Sequence, residues 1–344
     1  MNPLTADLDR LLTGTEGLWE ELRGQRIFIT GGTGFFGCWL LESFARANDR
    51  LGLKATVVVL TRNPKAFAGK MPHLAGRSDL SLHAGDVRDF SFPDGPFAFV
   101  IHAGTTSGAP VAPLEMFETI VGGTRRVLEF AAGHETRKLL FVSSGAVYGR
   151  QPAELTQLTE DFSGAPALNN PAAAYGEGKR AAELLCHLAE QRHGFELKIA
   201  RGFAFVGPHL PLNTHFAIGN FIRDGLRGGP IRVRGDGTPY RSYLYATDLA
   251  AWLWTILFRG KSGRAYNVGS EQALTIRELA QTVAAQFTPV PDVIIEQEPV
   301  SEAAVQRYIP STRRAQAELG LQTIIQLPDA IQRTILWHRQ TNQT

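Results

Sequence analysis

The sequence predicts an α/β protein built on a doubly wound parallel sheet with a smaller lobe attached. Three observations carry that expectation. Short apolar runs alternate with helical stretches from Arg26 onward, a glycine-rich turn follows the first run, and the rhythm loosens into Pro- and Gly-rich loops after Arg201. Strands buried on both faces read as continuous apolar runs, and their alternation with helices favours parallel pairing.

Residues 1–24 read as a polar-rich helical extension with Leu8, Leu11, Leu12 and Leu18 scattered through it. Strand candidates follow at Arg26–Ile29, Thr56–Leu60, Leu80–His83, Phe97–Ile101, Leu139–Val142, Leu197–Ala200 and Ala265–Val268. Helical patterns lie between most of them, at Gly37–Ala47, Glu115–Ala132 and Ala174–Gln191, with further ones near Ile218–Leu226 and Thr247–Phe258. The last portion offers helices at Thr275–Phe287, Thr312–Leu319 and Pro328–His338. The expected division is a helical extension over 1–24 and a dinucleotide-binding domain over 25–203 plus about 241–270. A substrate-binding lobe, assembled from about 204–240 and 271–344, completes the chain.

Composition narrows the class. With 35 basic and 33 acidic residues the net charge is +2, which argues against a nucleic-acid or membrane-surface partner. No apolar run approaches the roughly 18 residues of a membrane-spanning helix. The opening MNPLTADLDRLL has acids where a secretory leader carries its basic start. The two cysteines, Cys38 and Cys186, sit inside helical patterns and read as reduced core residues. A cytoplasmic protein is the expectation.

The segment Ile27-Phe28-Ile29-Thr30-Gly31-Gly32-Thr33-Gly34-Phe35-Phe36-Gly37 is a strand, a tight turn and a helix start. Glycines at 31, 34 and 37 allow the turn, the approach of backbone to a pyrophosphate, and close helix packing. The free N–H groups of the helix start favour phosphate. Gly31, Thr33, Gly34, Phe35, Phe36 and Gly37 are therefore candidate dinucleotide contacts. The second strand ends Leu60-Thr61-Arg62-Asn63, with no carboxylate for the adenosine ribose and a guanidinium suited to a 2′-phosphate. NADP(H) is favoured over NAD(H). Asp86 and Val87, after the third strand, suit the adenine, and His102, ending the fourth, is expected to line the cleft structurally.

Tyr175 and Lys179 form YxxxK, a spacing that puts both on one face of a helix. A free phenol titrates near pH 10, so lowering it by about three units needs about 4 kcal/mol of charge stabilisation. Ser144, at the end of an earlier strand, supplies a hydroxyl.

The combination of TGGTGFFG (30–37), GDV (85–87), SSGAVYG (143–149), YGEGK (175–179), VGP (206–208), GDGTPYR (235–241) and YNVGS (266–270) resembles the extended short-chain dehydrogenase/reductase family. Within it, the chain is similar to the nucleotide-sugar epimerase/dehydratase branch, over about residues 26–340. The resemblance implies a Rossmann-type domain with Tyr175 as acid/base, Lys179 lowering its pKa and holding the nicotinamide ribose, and Ser144 bonding the reacting oxygen. It also implies a nucleotide-diphosphate sugar bound near Ser144, Gly145, Thr214, His215, Arg241, Arg307 and Tyr308, with Arg241 as the diphosphate clamp, and a homodimer. The branch's 4,6-dehydratases carry Asp-Glu directly after the hydroxyl residue; Gly145 and Ala146 stand there instead, which disfavours that reaction. A 4-keto-sugar reductase using NADPH is the leading expectation, a 4-epimerase with retained NAD the alternative. A dinucleotide sensor without turnover is disfavoured because Ser144, Tyr175 and Lys179 are all kept. Thr61, Ile120 and Ala204 depart from residues that relatives often carry, so the hexose is not carried over.

Overall fold

A computed structural model describes residues 3–105, 111–214, 216–299 and 305–341. Its central sheet contains β1 Arg26–Thr30, β2 Thr56–Thr61, β3 Leu80–Ala84, β4 Phe99–His102, β5 Lys138–Ser144, β6 Glu196–Gly202 and a last strand, Arg264–Val268. Across the sheet the order is Arg264–Val268, β6, β5, β4, β1, β2, β3, with every neighbouring pair parallel. All seven anticipated strands are present, six of them longer by one or three residues, while the fourth begins at Phe99 rather than Phe97.

The strands are apolar throughout because both faces are covered. Ile27 and Ile29 of β1 point into a core shared with Trp39, Phe44 and Trp254. Phe28 points the other way, against Phe97, Phe130 and Phe141. This is the period-2 alternation of a strand with no solvent face. A third core, around Phe221, Ile222, Val283 and Ile331, lies among the later elements.

The helices are α1 Thr5–Gly14, α2 Phe35–Leu51, α3 Pro64–Lys70, α4 Pro72–Ala75, α5 Pro113–Gly133, α6 Ala174–His193, α7 Ala217–Leu226 and α8 Ala246–Arg259, followed by Ile276–Ala284, Arg313–Leu319 and Leu327–Thr341. Sequence patterning misses α3, although it carries a start signal: Asn63 accepts a hydrogen bond from the Ala66 N–H at 3.0 Å and Pro64 opens the helix. The extension is no loose appendage. Leu4, Leu8 and Leu11 are buried in the main core, and Trp19 packs on Trp254 with centroids 5.0 Å apart. The loop-rich later part is pinned by very short strands, including Tyr240–Arg241 between Leu274–Thr275 and Arg307–Tyr308. Among the described residues no helix is long and apolar enough to cross a membrane.

Strand order reverses between β1 and β4. In such sheets the crevice at the C-terminal strand ends, at that switch point, is where ligands enter.

Candidate functional site

The turn after β1 is built on missing side chains. Gly31 has φ +73°, and a Cβ there would lie 2.4 Å from the Ala103 carbonyl oxygen. A Cβ on Gly37 would meet the Gly31 oxygen and the Gly32 Cα at 2.3 Å, so α2 lies directly on the turn. Gly34 is the residue before the first helical turn. Phe36 packs edge-on against Phe205 at 4.9 Å, and Phe35 against Phe36 at 5.8 Å, so both rings serve packing.

Beside this turn lies a cavity of about 310 Å³, lined by Gly31, Thr33, Arg62, Asp86 and Val87 among others. Five of the anticipated cofactor contacts are thus brought together. Thr61, Asn63, Lys70 and Thr119 also line it and were not anticipated. Lys70 ends α3, so missing that helix hid a second cation facing the cavity. Asp86 is held by Arg88, whose Nε donates at 2.8 Å, and this pairing keeps the carboxyl below the usual carboxylate range.

His102 lies beneath the cleft. Its Nδ1 is 2.6 Å from Thr30 Oγ1 and its Nε2 3.0 Å from Thr124 Oγ1. Burial pushes its pKa down to about 3, so the imidazole is neutral, with both nitrogens engaged. The imidazole thereby bridges Thr30 of β1 and Thr124 of α5.

β5 ends at Ser144, whose Oγ accepts from the Ala146 N–H at 3.1 Å and starts a short 3-10 turn, Gly145–Tyr148. α6 brings Tyr175 in its first turn and Lys179 one turn on. The Lys179 Nζ donates to the Val142 carbonyl at 2.8 Å and lies 4.8 Å from the Phe141 ring. Burial lowers its pKa to about 8. Burial raises that of Tyr175, and the Ser144 hydroxyl facing it opposes the rise. Helix and sheet are locked by Glu183, which accepts from Ser143 Oγ at 2.5 Å and from Arg201 at 2.7 Å.

Gly145 leaves room that two aromatic residues fill. A Cβ there would lie 2.7 Å from Phe203 Cζ and 2.7 Å from the Tyr308 hydroxyl. Tyr308, which the resemblance places beside the nucleotide or diphosphate together with Arg307, therefore joins the Ser144–Tyr175 group. Its strand pairs in register with Arg241, whose charge bears on the Tyr308 phenol. Arg241 Nη1 donates to the Tyr240 carbonyl at 2.8 Å, and Arg307 lies over the Tyr240 ring at 4.3 Å. Arg241 and Arg307 thus flank one tyrosine on a small sheet next to the hydroxyl cluster. His215 lies outside the described residues.

Comparison with known proteins agrees with this geometry. UDP-glucuronic acid decarboxylase 1 of Danio rerio is 28% identical over 336 residues, covering 94% of this chain and 76% of that one. UDP-glucuronic acid 4-epimerase of Bacillus cereus, solved with NAD, superposes with a TM-score of 0.77 at 19% identity, covering 93% of this chain and 98% of the other. A dTDP-glucose 4,6-dehydratase of Streptomyces venezuelae, solved with NAD and TYD, gives 0.76 at 22% identity, with 93% and 98% covered. Residues 27–269, from the start of the glycine-turn strand to the far edge of the sheet, match the NAD dependent epimerase/dehydratase family, and the chain belongs to it.

Proposed function

We propose that this protein reduces a 4-keto sugar carried on a nucleoside diphosphate, with NADPH as the electron donor. The observation that carries the reading is the juxtaposition of Ser144 and Tyr175 at a turn where Gly145 and Ala146 offer no carboxylate. Such a site can bond and protonate an oxygen, but has no base there to strip a carbon-bound proton.

The cleft suits a dinucleotide. The turn at Gly31 and Gly37 has no room for a side chain, and the adjoining cavity presents Arg62 and Lys70 with no acid at the end of β2. A hydrogen bond to a charged group adds about 1.5–3 kcal/mol, which supports preference for the 2′-phosphorylated cofactor. Once bound, the dinucleotide supplies the hydride. The chain's own residues manage the oxygen: the Tyr175 O–H delivers its proton to the carbonyl oxygen while Ser144 donates a hydrogen bond to it. Lys179, held by the Val142 carbonyl, keeps a positive charge beneath them. Arg241 and Arg307 suit the diphosphate, since a guanidinium pairs two phosphate oxygens at once. Exposed Leu184 and Leu188 on α6 support a homodimer.

A second reading has its own support in the decarboxylase names of the relatives. Loss of CO2 from a 4-keto uronic acid needs no enzyme carboxylate, because the carbonyl β to the departing group takes the electrons. The 4-epimerase alternative asks for the same groups and for retained NAD.

The test begins with denaturing fresh protein and identifying any released dinucleotide, followed by NADPH oxidation with a panel of 4-keto sugar nucleotides. Consumption of NADPH that disappears in Tyr175→Phe is the expected result. Released NAD with CO2 formed from UDP-glucuronic acid, or with C4 inversion, would replace the reductase by one of the other two reactions.

A further inference from the structure

The Ser144 hydroxyl has one hydrogen and two lone pairs. One lone pair is taken by the Ala146 N–H at 3.1 Å. The same hydroxyl faces two phenols, Tyr175 from α6 and Tyr308 from the short strand Arg307–Tyr308. If both remaining valences were free to choose, the serine hydrogen would have no fixed direction.

Tyr308 is held too firmly for that. Its ring stacks on Phe203 with centroids 4.6 Å apart and planes inclined by 34°. Phe203 in turn rests near Tyr148, whose hydroxyl donates to Asn267 at 2.7 Å and accepts from Arg201 at 2.9 Å. On the other side the backbone of Gly145 approaches so closely that a methyl group would touch the Tyr308 oxygen. The phenol is fixed at the turn, with its oxygen at the Ser144–Gly145 step.

We propose that Tyr308 is a positioning residue: its O–H donates to the second lone pair of Ser144 Oγ, leaving the serine hydrogen for Tyr175 and the reacting carbonyl oxygen. Gly145 is the necessary counterpart, because any side chain there displaces the Tyr308 hydroxyl. The inference rests on the reading of Tyr175 as the proton donor. Burial raises the Tyr308 pKa above its ordinary value, so the phenol keeps its proton and acts as donor at neutral pH.

The groups around the pair are few. Tyr175 has Lys179 on its own helix, with the ammonium turned to Val142, and Ser144 from β5. Tyr308 has Arg241 from the adjoining strand and Tyr148 from the 3-10 turn. Glu183 is occupied by Ser143 and Arg201, and His102 by Thr30 and Thr124.

Removing the Tyr308 hydroxyl frees Ser144 to rotate, and the Tyr175 phenolate loses its fixed donor. Its pKa then rises, because the charged form is less stabilised. Reduction needs Tyr175 protonated, so the alkaline limb of its pH profile moves to higher pH in Tyr308→Phe. kcat falls by about tenfold with KM nearly unchanged, the loss expected of one orienting hydrogen bond. Gly145→Ala, which displaces the same hydroxyl from the opposite side, shifts the limb in the same direction and serves if Tyr308→Phe folds poorly.

An independent readout is ultraviolet titration of phenolate absorbance, with Tyr175→Phe identifying the Tyr175 step. A step that moves upward in Tyr308→Phe is the expected result, and it supports the inference even if no 4-keto sugar is turned over, in which case only the reductase reading fails. An unmoved step together with an unmoved pH limb in both variants overturns the inference.

Discussion

Lys179 shows what a functional side chain costs where it sits. The residue is 1% exposed, its ammonium has one protein acceptor, and its pKa falls from an ordinary value near 10.5 to about 8. The folded protein therefore binds this proton less tightly than the unfolded chain. Below about pH 8 both states are protonated and the full penalty applies; it fades as pH rises toward the unfolded value. A tenfold difference in proton affinity is worth about 1.4 kcal/mol, so a fall from 10.5 to about 8 makes the penalty on the order of 3–4 kcal/mol. Lys179→Met in the unliganded protein is expected to be more stable than the parent at pH 7 by about that amount. The difference should shrink between pH 8 and 10.5, as read from urea unfolding at several pH values. Equal stabilities across that range would mean the ammonium is better solvated than its surroundings imply. The YxxxK spacing makes this residue legible in the sequence, whereas its hydrogen bond to Val142 is not, because only the packing of α6 on β5 creates it.

At the scale of elements, the site depends on how α6 is seated. Glu183 lies two turns beyond Tyr175 and joins Ser143 of β5 to Arg201 of β6. One carboxylate thereby sets the height of the helix that carries both Tyr175 and Lys179. Glu183→Ala leaves Arg201, a largely buried cation, without its counter-charge. Breaking such a pair costs about 3–5 kcal/mol, and Arg201 retains Tyr148 and the Glu160 carbonyl, so a loss near 3 kcal/mol in equilibrium unfolding is expected. A loss below 1 kcal/mol would show that apolar contacts alone seat the helix. The long elements were legible because each has a strong period: continuous apolar runs for the strands, a helical repeat for α5, α6 and α8. The strands Tyr240–Arg241 and Arg307–Tyr308 were not, since two residues carry no period. Tyr308, named only through the resemblance, reaches the hydroxyl cluster through such a pairing, and Lys70 reaches the cavity through the brief helix α3. The sequence signal for Lys70 was the Asn-Pro start of α3.

Over the whole molecule, the extension ties distant parts of the chain together. Asp7, buried in α1, accepts from the Tyr245 hydroxyl at 2.6 Å and forms an ion pair with Arg333 of the last described helix. Tyr245 immediately precedes α8, and both it and the helix of Arg333 belong to the third core, so Asp7 ties α1 in the main core to the third. Asp7→Ala strands a buried phenol and takes one of two carboxylates from Arg333, which keeps Asp329. The expected loss is about 2–3 kcal/mol, visible as a melting temperature lowered by several degrees. An unchanged melting temperature would mean that the leucines of α1 dock the helix without the carboxylate. At this scale the charge balance was legible from composition, and the apolar sheet from the order of its runs. The docking of α1 was not, because scattered leucines among polar residues suit a surface helix as well as a clamped one.

That clamp has a consequence in time. Asp7 and Arg333 are 326 positions apart, and synthesis at about 5–20 residues per second puts roughly 15–65 s between the emergence of the two. For the part of that interval before α8 is made, α1 has its apolar side, Leu4, Leu8 and Leu11, and no complete surface to receive it. The nascent chain thus carries an adhesive segment until α8 is made, and the clamp to Arg333 closes later still. Any factor that shields exposed leucines on emerging chains has that interval in which to hold this one.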